Sequence, residues 1–314
     1  MSRGTTRLLL LVSTVFGLLL ALEVLCRAEP EGLAAVAHRV RFKLALLHAK
    51  GPVDFVALGT SRTNDGLNPA LLGLGNGFSA ATPSSSLPTL EFQAARLGPQ
   101  KLVFVELSRP QGAPTEMDAD TTPPAGSYAG DPLGEWLHAH SKLLQVRRAF
   151  ALENLPRVVG LLTARALDGS EWFRSRQLVE TFRPPSPPEG LTDDAAWKAP
   201  PFIPSGVEGS EVPVFDEDAT RRLEGFERVV SLLRASGAKV VFIAPPLGAA
   251  WRAEDCTPAQ NALRQAIARR TAAPLLDFTC AEVDERWFVD GQHLSSPGRA
   301  KYSQALGEAV RALP

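Results

Sequence analysis

Four short runs of β-forming residues limit what this chain can become: Val53–Leu58, Lys101–Leu107, Lys239–Ile243 and Leu275–Phe278. Breakers or polar turn formers stop the first three: Gly59, then Ser108-Arg109-Pro110, then Pro245-Pro246. Short, nearly continuous apolar runs suit strands buried on both faces. Helical patterns lie between them. One helix is expected from about Pro88 to Leu97. Another carries the stripe Leu223, Phe226, Val230 and Leu233 and stops at Gly237, where a left-handed residue is usual. Thr257-Pro258 opens a third with a cap and a proline in the first turn, and Pro274 closes it. Ser296-Pro297 caps a last helix that reaches about Leu313. This alternation predicts an α/β fold: a parallel sheet flanked by helices, with right-handed crossovers.

The amino terminus has a different character. Arg3 and Arg7 precede the apolar segment Leu8 to Leu22, the basic and apolar regions of an export signal. A membrane span needs ~20 apolar residues. The segment approaches that length only by carrying Glu23 and continuing through Val24, Leu25 and Cys26. Residues 1–28 are therefore read as an uncleaved signal anchor; the other reading is a signal peptide cleaved near Ala28, which makes the protein secreted. Arg27, Arg39, Arg41 and Lys43 run against the positive-inside tendency, but the export pattern places the main domain outside the membrane. Residues 29–52 read as a helical stalk, with Leu33, Val36, Val40, Leu44 and Leu47 at helical spacing. The main domain is 53–314, with an insertion at about 111–216 that is proline-rich at both ends and helical from Trp136 to Leu167. The insertion is read either as a lid over the sheet or as a surface excursion.

Composition excludes several classes. Lys+Arg 33 against Asp+Glu 34 leaves no basic excess for nucleic acid, and 7% aromatic residues are too few for a base-stacking platform. No glycine-rich phosphate loop follows the first run. Cys26, Cys256 and Cys280 lack metal-ligand spacing, so no metal is expected. Cys256 and Cys280 follow successive strands, and in an extracytoplasmic domain a disulfide between them is expected; the alternative is two unrelated thiols.

Ser61 stands just past the first strand, at the carboxyl end where open α/β sheets place their chemistry. A serine hydroxyl needs a positioned base to act as a nucleophile. Among the five histidines, His293 alone lies at a strand-to-helix junction with an acid three residues earlier. In Asp290-Gly291-Gln292-His293 the carboxylate can fold back through the glycine onto the imidazole and hold its tautomer.

These segments carry a resemblance. Gly59-Thr60-Ser61 after an apolar strand, with Asp290-x-x-His293-Leu294-Ser295-Ser296-Pro297-Gly298 before a C-terminal helix, resembles the SGNH/GDSL hydrolase superfamily. It covers about residues 53–110 and 218–312. The apolar amino terminus and Ser61-Arg62-Thr63 are also similar to a membrane-anchored branch that includes alginate O-acetylation and lipoteichoic acid D-alanylation proteins. The resemblance implies a flavodoxin-like sheet, with Ser61 as nucleophile, His293 as base and Asp290 as orienting acid. It implies hydrolysis or transfer of an acyl ester of an envelope glycan or lipid, without a cofactor. It further implies a single-pass protein of a bacterial cytoplasmic membrane, with a membrane-bound acyltransferase as a partner. The family's oxyanion hole takes the nucleophile's own N–H, a glycine and an asparagine. Here the glycine slot falls at Gly77 or Ala80, and Leu107-Ser108-Arg109-Pro110 stands where the asparagine belongs. Ser108 and Asn64 are the residues available in its place. Arg62 is read either as a binder of an anionic substrate group or as a partner of Asp65. A protein that keeps this fold without catalysis, and binds a polysaccharide or an assembly partner, is the alternative.

Overall fold

The computed structural model describes residues 12–21, 23–24, 39–82, 85–108, 159, 197, 201–204 and 215–314. The chain divides into two compact units, Met1–Ala49 with Asp120–Leu167, and Lys50–Ala119 with Asp168–Pro314. In the first, residues 12–21 and 23–24 are helical, and helix α1 (Arg39–Lys50) runs to the boundary. Among the described residues no helix is long and apolar enough to cross a membrane. The start of the expected stalk, both ends of the expected signal segment and the expected helical stretch Trp136–Leu167, residue 159 excepted, lie outside the described residues.

The second unit is built on five parallel strands in the order β2-β1-β3-β4-β5. They are β1 (Phe55–Leu58), β2 (Gly77–Ser79), β3 (Leu102–Glu106), β4 (Lys239–Ala244) and β5 (Leu275–Asp277). The described helices are α2 (Ser61–Gly66), α3 (Leu87–Arg96), α4 (Glu217–Ala235), α5 (Ala249–Asp255), α6 (Pro258–Thr271) and α7 (Ser296–Arg311). From β1 the chain steps to β2 on one side, then returns to β3 on the other. Such a reversal opens a crevice at the carboxyl ends of β1 and β3, the usual ligand position in doubly wound sheets.

Both faces of the sheet are buried, which accounts for the continuous apolar runs. On one face Phe55, Ala57, Phe104, Val241, Ile243 and Leu276 pack with Tyr302 and Leu306 of α7. Edge-on ring contacts join Phe55 to Phe104 at 5.5 Å and Phe278 to Tyr302 at 5.2 Å. On the other face Phe226 of α4 meets Phe242 edge-on at 5.9 Å. The cap at Thr257 and the positive φ of 88° at Gly237 are present as the sequence predicts. The last helix begins differently, with Ser295 rather than Ser296 as its cap, because Ser295 Oγ accepts from Gly298 N.

The sequence predicts four strands, none of them between residues 59 and 100; Gly77–Ser79 is in fact the fifth strand. Its pattern is hidden because Gly77 lies opposite Phe55, where any Cβ would overlap the phenyl ring. Lys50 Nζ donates to the Gly77 carbonyl at 2.8 Å, and burial lowers that ammonium to about 8. At the opposite edge Phe202 exchanges both backbone hydrogen bonds with Leu275, each at 2.9 Å. Covered edges offer no template to another strand.

Candidate active site

Thr60 ends the first strand's exit loop in an extended conformation and caps α2, its side chain accepting from Arg62 N at 3.2 Å. That makes Ser61 the first residue of the helix. The first amides of a helix have no intrahelical acceptor. Here the Thr60 and Thr63 amides donate to Glu106 Oε2 at 2.8 and 3.3 Å, and the Thr60 hydroxyl donates to Glu106 Oε1 at 2.8 Å. The Ser61 N–H has no partner among the described residues. Gly59 passes so close to Glu106 and Thr63 that a Cβ would run into both side chains.

The second half of the site comes from the far end of the chain. Phe288 and Leu294 pair antiparallel, and Val289 N donates to His293 O at 2.8 Å, closing a tight hairpin. Gly291 turns it with φ 77°, a conformation that favours glycine. Asp290 Oδ1 accepts from the Gln292 and His293 amides at 3.1 and 2.8 Å, and Asp290 Oδ2 meets His293 Nδ1 at 2.8 Å. His293 Nε2 in turn lies 2.8 Å from Ser61 Oγ. With Nδ1 donating to the carboxylate, Nε2 is left as the acceptor for the serine proton. Burial pushes the Asp290 carboxyl up, but the His293 ring and the two amides outweigh it and hold it below its ordinary value.

Packing keeps the two halves in register. Asn68 N donates to Ser303 Oγ at 2.8 Å, and Arg299 Nε donates to Leu67 O at 3.2 Å, tying the exit of α2 to α7. Leu294 lies 3.6 Å from where a Gly66 Cβ would stand. At the start of α7, Gly298 passes against the Trp287 carbonyl with no room for a side chain.

Ser61, Asp290 and His293 are thus brought together, while the other candidates divide. Gly77 sits at the start of β2 opposite Phe55, away from the carboxyl ends where Ser61 stands. The Ala80 N–H is spent on Ala57 O at 2.8 Å. Neither residue offers an amide at the serine, because β2 uses this segment to complete the sheet. Asn64 lies one turn along α2 and donates through Nδ2 to Asp65 Oδ1 at 2.5 Å. Ser108 is buried just beyond the end of β3. Arg62 does not pair with Asp65. Its guanidinium is 8% exposed, donates to Pro245 O at 2.5 Å and stands 3.8 Å from Asp255 Oδ2, so it braces the segment after β4. A disulfide joins Cys256 and Cys280.

Glu106 escaped the sequence reading, which absorbed it into a β-rich run. Its signal was an acid among apolar residues, since a buried carboxylate demands hydrogen-bond partners. Among the described residues no group of three His, Cys, Asp or Glu side chains could hold a metal ion. No family model matches this chain, and no curated protein does.

Proposed function

We propose that this protein is a serine-dependent esterase or O-acyltransferase that works through an acyl-Ser61 intermediate. One observation carries the reading: an unbroken relay from Ser61 Oγ through His293 to Asp290, with both links at 2.8 Å. Ser61 Oγ attacks the acyl carbonyl carbon while His293 Nε2 takes its proton. The Ser61 N–H, without another partner among the described residues, is available to the oxyanion. Collapse breaks the ester bond, and His293 returns the proton to the departing alcohol oxygen. Water or a sugar hydroxyl then attacks the acyl-serine, losing its proton to His293, and His293 passes that proton to Ser61 Oγ as the acyl carbon–Oγ bond breaks. Asp290 holds the Nδ1–H tautomer and offsets the imidazolium charge.

The resemblance to SGNH/GDSL hydrolases supports an acyl ester of an envelope glycan or lipid as substrate, handled outside the membrane by an anchored or secreted chain. The test is labelling with a fluorescent fluorophosphonate. Wild-type protein is expected to label, and Ser61→Ala and His293→Ala to lose both labelling and p-nitrophenyl acetate hydrolysis while remaining folded. Full hydrolysis by Ser61→Ala would overturn the mechanism. The commitment of Ala80 N–H to the sheet favours a second reading, a non-catalytic protein that binds a polysaccharide or an assembly partner. Folded wild-type protein that refuses the probe would select it.

A further inference from the structure

We propose that Glu106 is the positioning residue of this site, an internal anchor that sets both the direction of Ser61 Oγ and the availability of the Ser61 amide. The inference rests on Ser61 being the nucleophile. Glu106 ends β3, the strand adjacent to β1 across the crevice, and is 2% exposed. It has no cationic partner within ion-pair distance among the described residues; instead its two oxygens accept three hydrogen bonds, all from Thr60 and Thr63. These residues flank Ser61 on both sides.

The pattern has a consequence for chemistry. Glu106 takes the Thr60 and Thr63 amides directly, and the Thr60 hydroxyl, oriented by Glu106 Oε1, takes the Arg62 amide. Of the four successive amides from Thr60 to Thr63, only that of Ser61 is left over among the described residues. A carboxylate suits this task because it is acceptor-only and presents no hydrogen to the converging donors. A glycine is required on the near side, since the Glu106 side chain fills the space that a Cβ on Gly59 would need. The strand end, the glycine and the threonine cap therefore form one device that fixes the turn from behind, while the Asp290–His293 hairpin meets Ser61 from the other end of the chain.

Glu106 bonds to Thr60 and Thr63 and makes no hydrogen bond to Ser61 Oγ among the described residues. Its loss should therefore slow acylation without weakening encounter with the reagent. Misplacement of a reacting group by about 1 Å costs on the order of 10²-fold in rate. The experiment measures kinact and KI for a fluorophosphonate with wild type, Ser61→Ala, Glu106→Gln and Glu106→Leu, with thermal melts on each. Glu106→Leu strands three donors and is expected to lower kinact by about a hundredfold with KI within about threefold. Glu106→Gln keeps one acceptor oxygen for the amides and should recover much of that loss, leaving about a tenfold deficit. Should Glu106→Leu fail to fold, Glu106→Gln decides, assayed well below its melting temperature. Wild-type kinact in a folded Glu106 variant overturns the anchor role while leaving the nucleophile intact. A rise in KI with unchanged kinact overturns it as well. A wild-type protein that does not label, or a Ser61→Ala protein that does, removes the catalytic reading itself.

Discussion

At Gly59 the chain has room for a hydrogen and nothing more, because Glu106 and Thr63 occupy the place of a side chain. The sequence suggests a turn glycine; the structure shows a glycine of close approach, absent from the residues with positive φ. Gly59→Ala is accordingly expected to cost ~1–3 kcal/mol by overpacking, read from urea denaturation, and to slow probe labelling as Ser61 shifts. Asp290 illustrates a different residue-scale effect. Its folded carboxyl lies below the ordinary value, so the unfolded chain takes up a proton first as pH falls. The contribution is present above the unfolded carboxyl value and is lost only as pH drops through the lower folded value. The stability difference between wild type and Asp290→Asn should thus persist as pH falls to about 5 and should vanish in stronger acid. A difference that disappears already at mild acidity would contradict the hydrogen-bonded arrangement.

At the scale of elements, the site depends on joints between segments distant in sequence. The disulfide links Cys256, which follows α5, to Cys280, which follows β5, over a separation of 24 residues. Asp255, the residue before Cys256, faces Arg62, so the bridge steadies the segment that Arg62 braces. Replacing both cysteines by serine is expected to lower stability by ~2–4 kcal/mol in denaturation experiments. The start of α7 is a second joint. Ser295 Oγ donates to Trp287 O at 2.9 Å and accepts from Gly298 N, holding the helix next to the Asp290–His293 hairpin. Ser295→Ala should cost ~1 kcal/mol as a lost cap, with a fall in labelling rate if His293 moves with the helix. These joints are partly legible in the sequence, since Ser-Pro and Thr-Pro at helix starts announce local capping chemistry. What a cap holds beyond its own helix is not local, and only packing reveals it.

Across the whole molecule, Trp197 and Phe202 extend the sheet unit beyond its strands and helices. Phe202 covers the β5 edge, and Trp197, 3% exposed, meets Trp287 edge-on at 5.6 Å one residue before Phe288 of the Asp290–His293 hairpin. The Trp197 indole N–H is buried without a partner among the described residues. Trp197→Ala should therefore cost ~3–5 kcal/mol, whereas Trp197→Phe should stay within about 1 kcal/mol because it keeps a ring and removes an orphan donor. Thermal or urea unfolding of the two variants checks the contrast. Nothing in the composition of 111–216 marks these two residues, because their role is defined by surfaces that exist only after the sheet has formed.

By itself the sequence determined the alternation of strand and helix, the serine at a strand's carboxyl end and the carboxylate–imidazole pair three residues apart. Each is written in local periodicity, turn chemistry or spacing, which act over a few residues. The tertiary structure alone decided that Gly77–Ser79 is a strand, that Ala80 spends its amide on β1, and that Glu106 gathers the amides around Ser61. Those outcomes depend on which groups meet across strands and helices separated by tens to hundreds of residues. Backbone donors find their acceptors only when the sheet order brings the strand ends side by side.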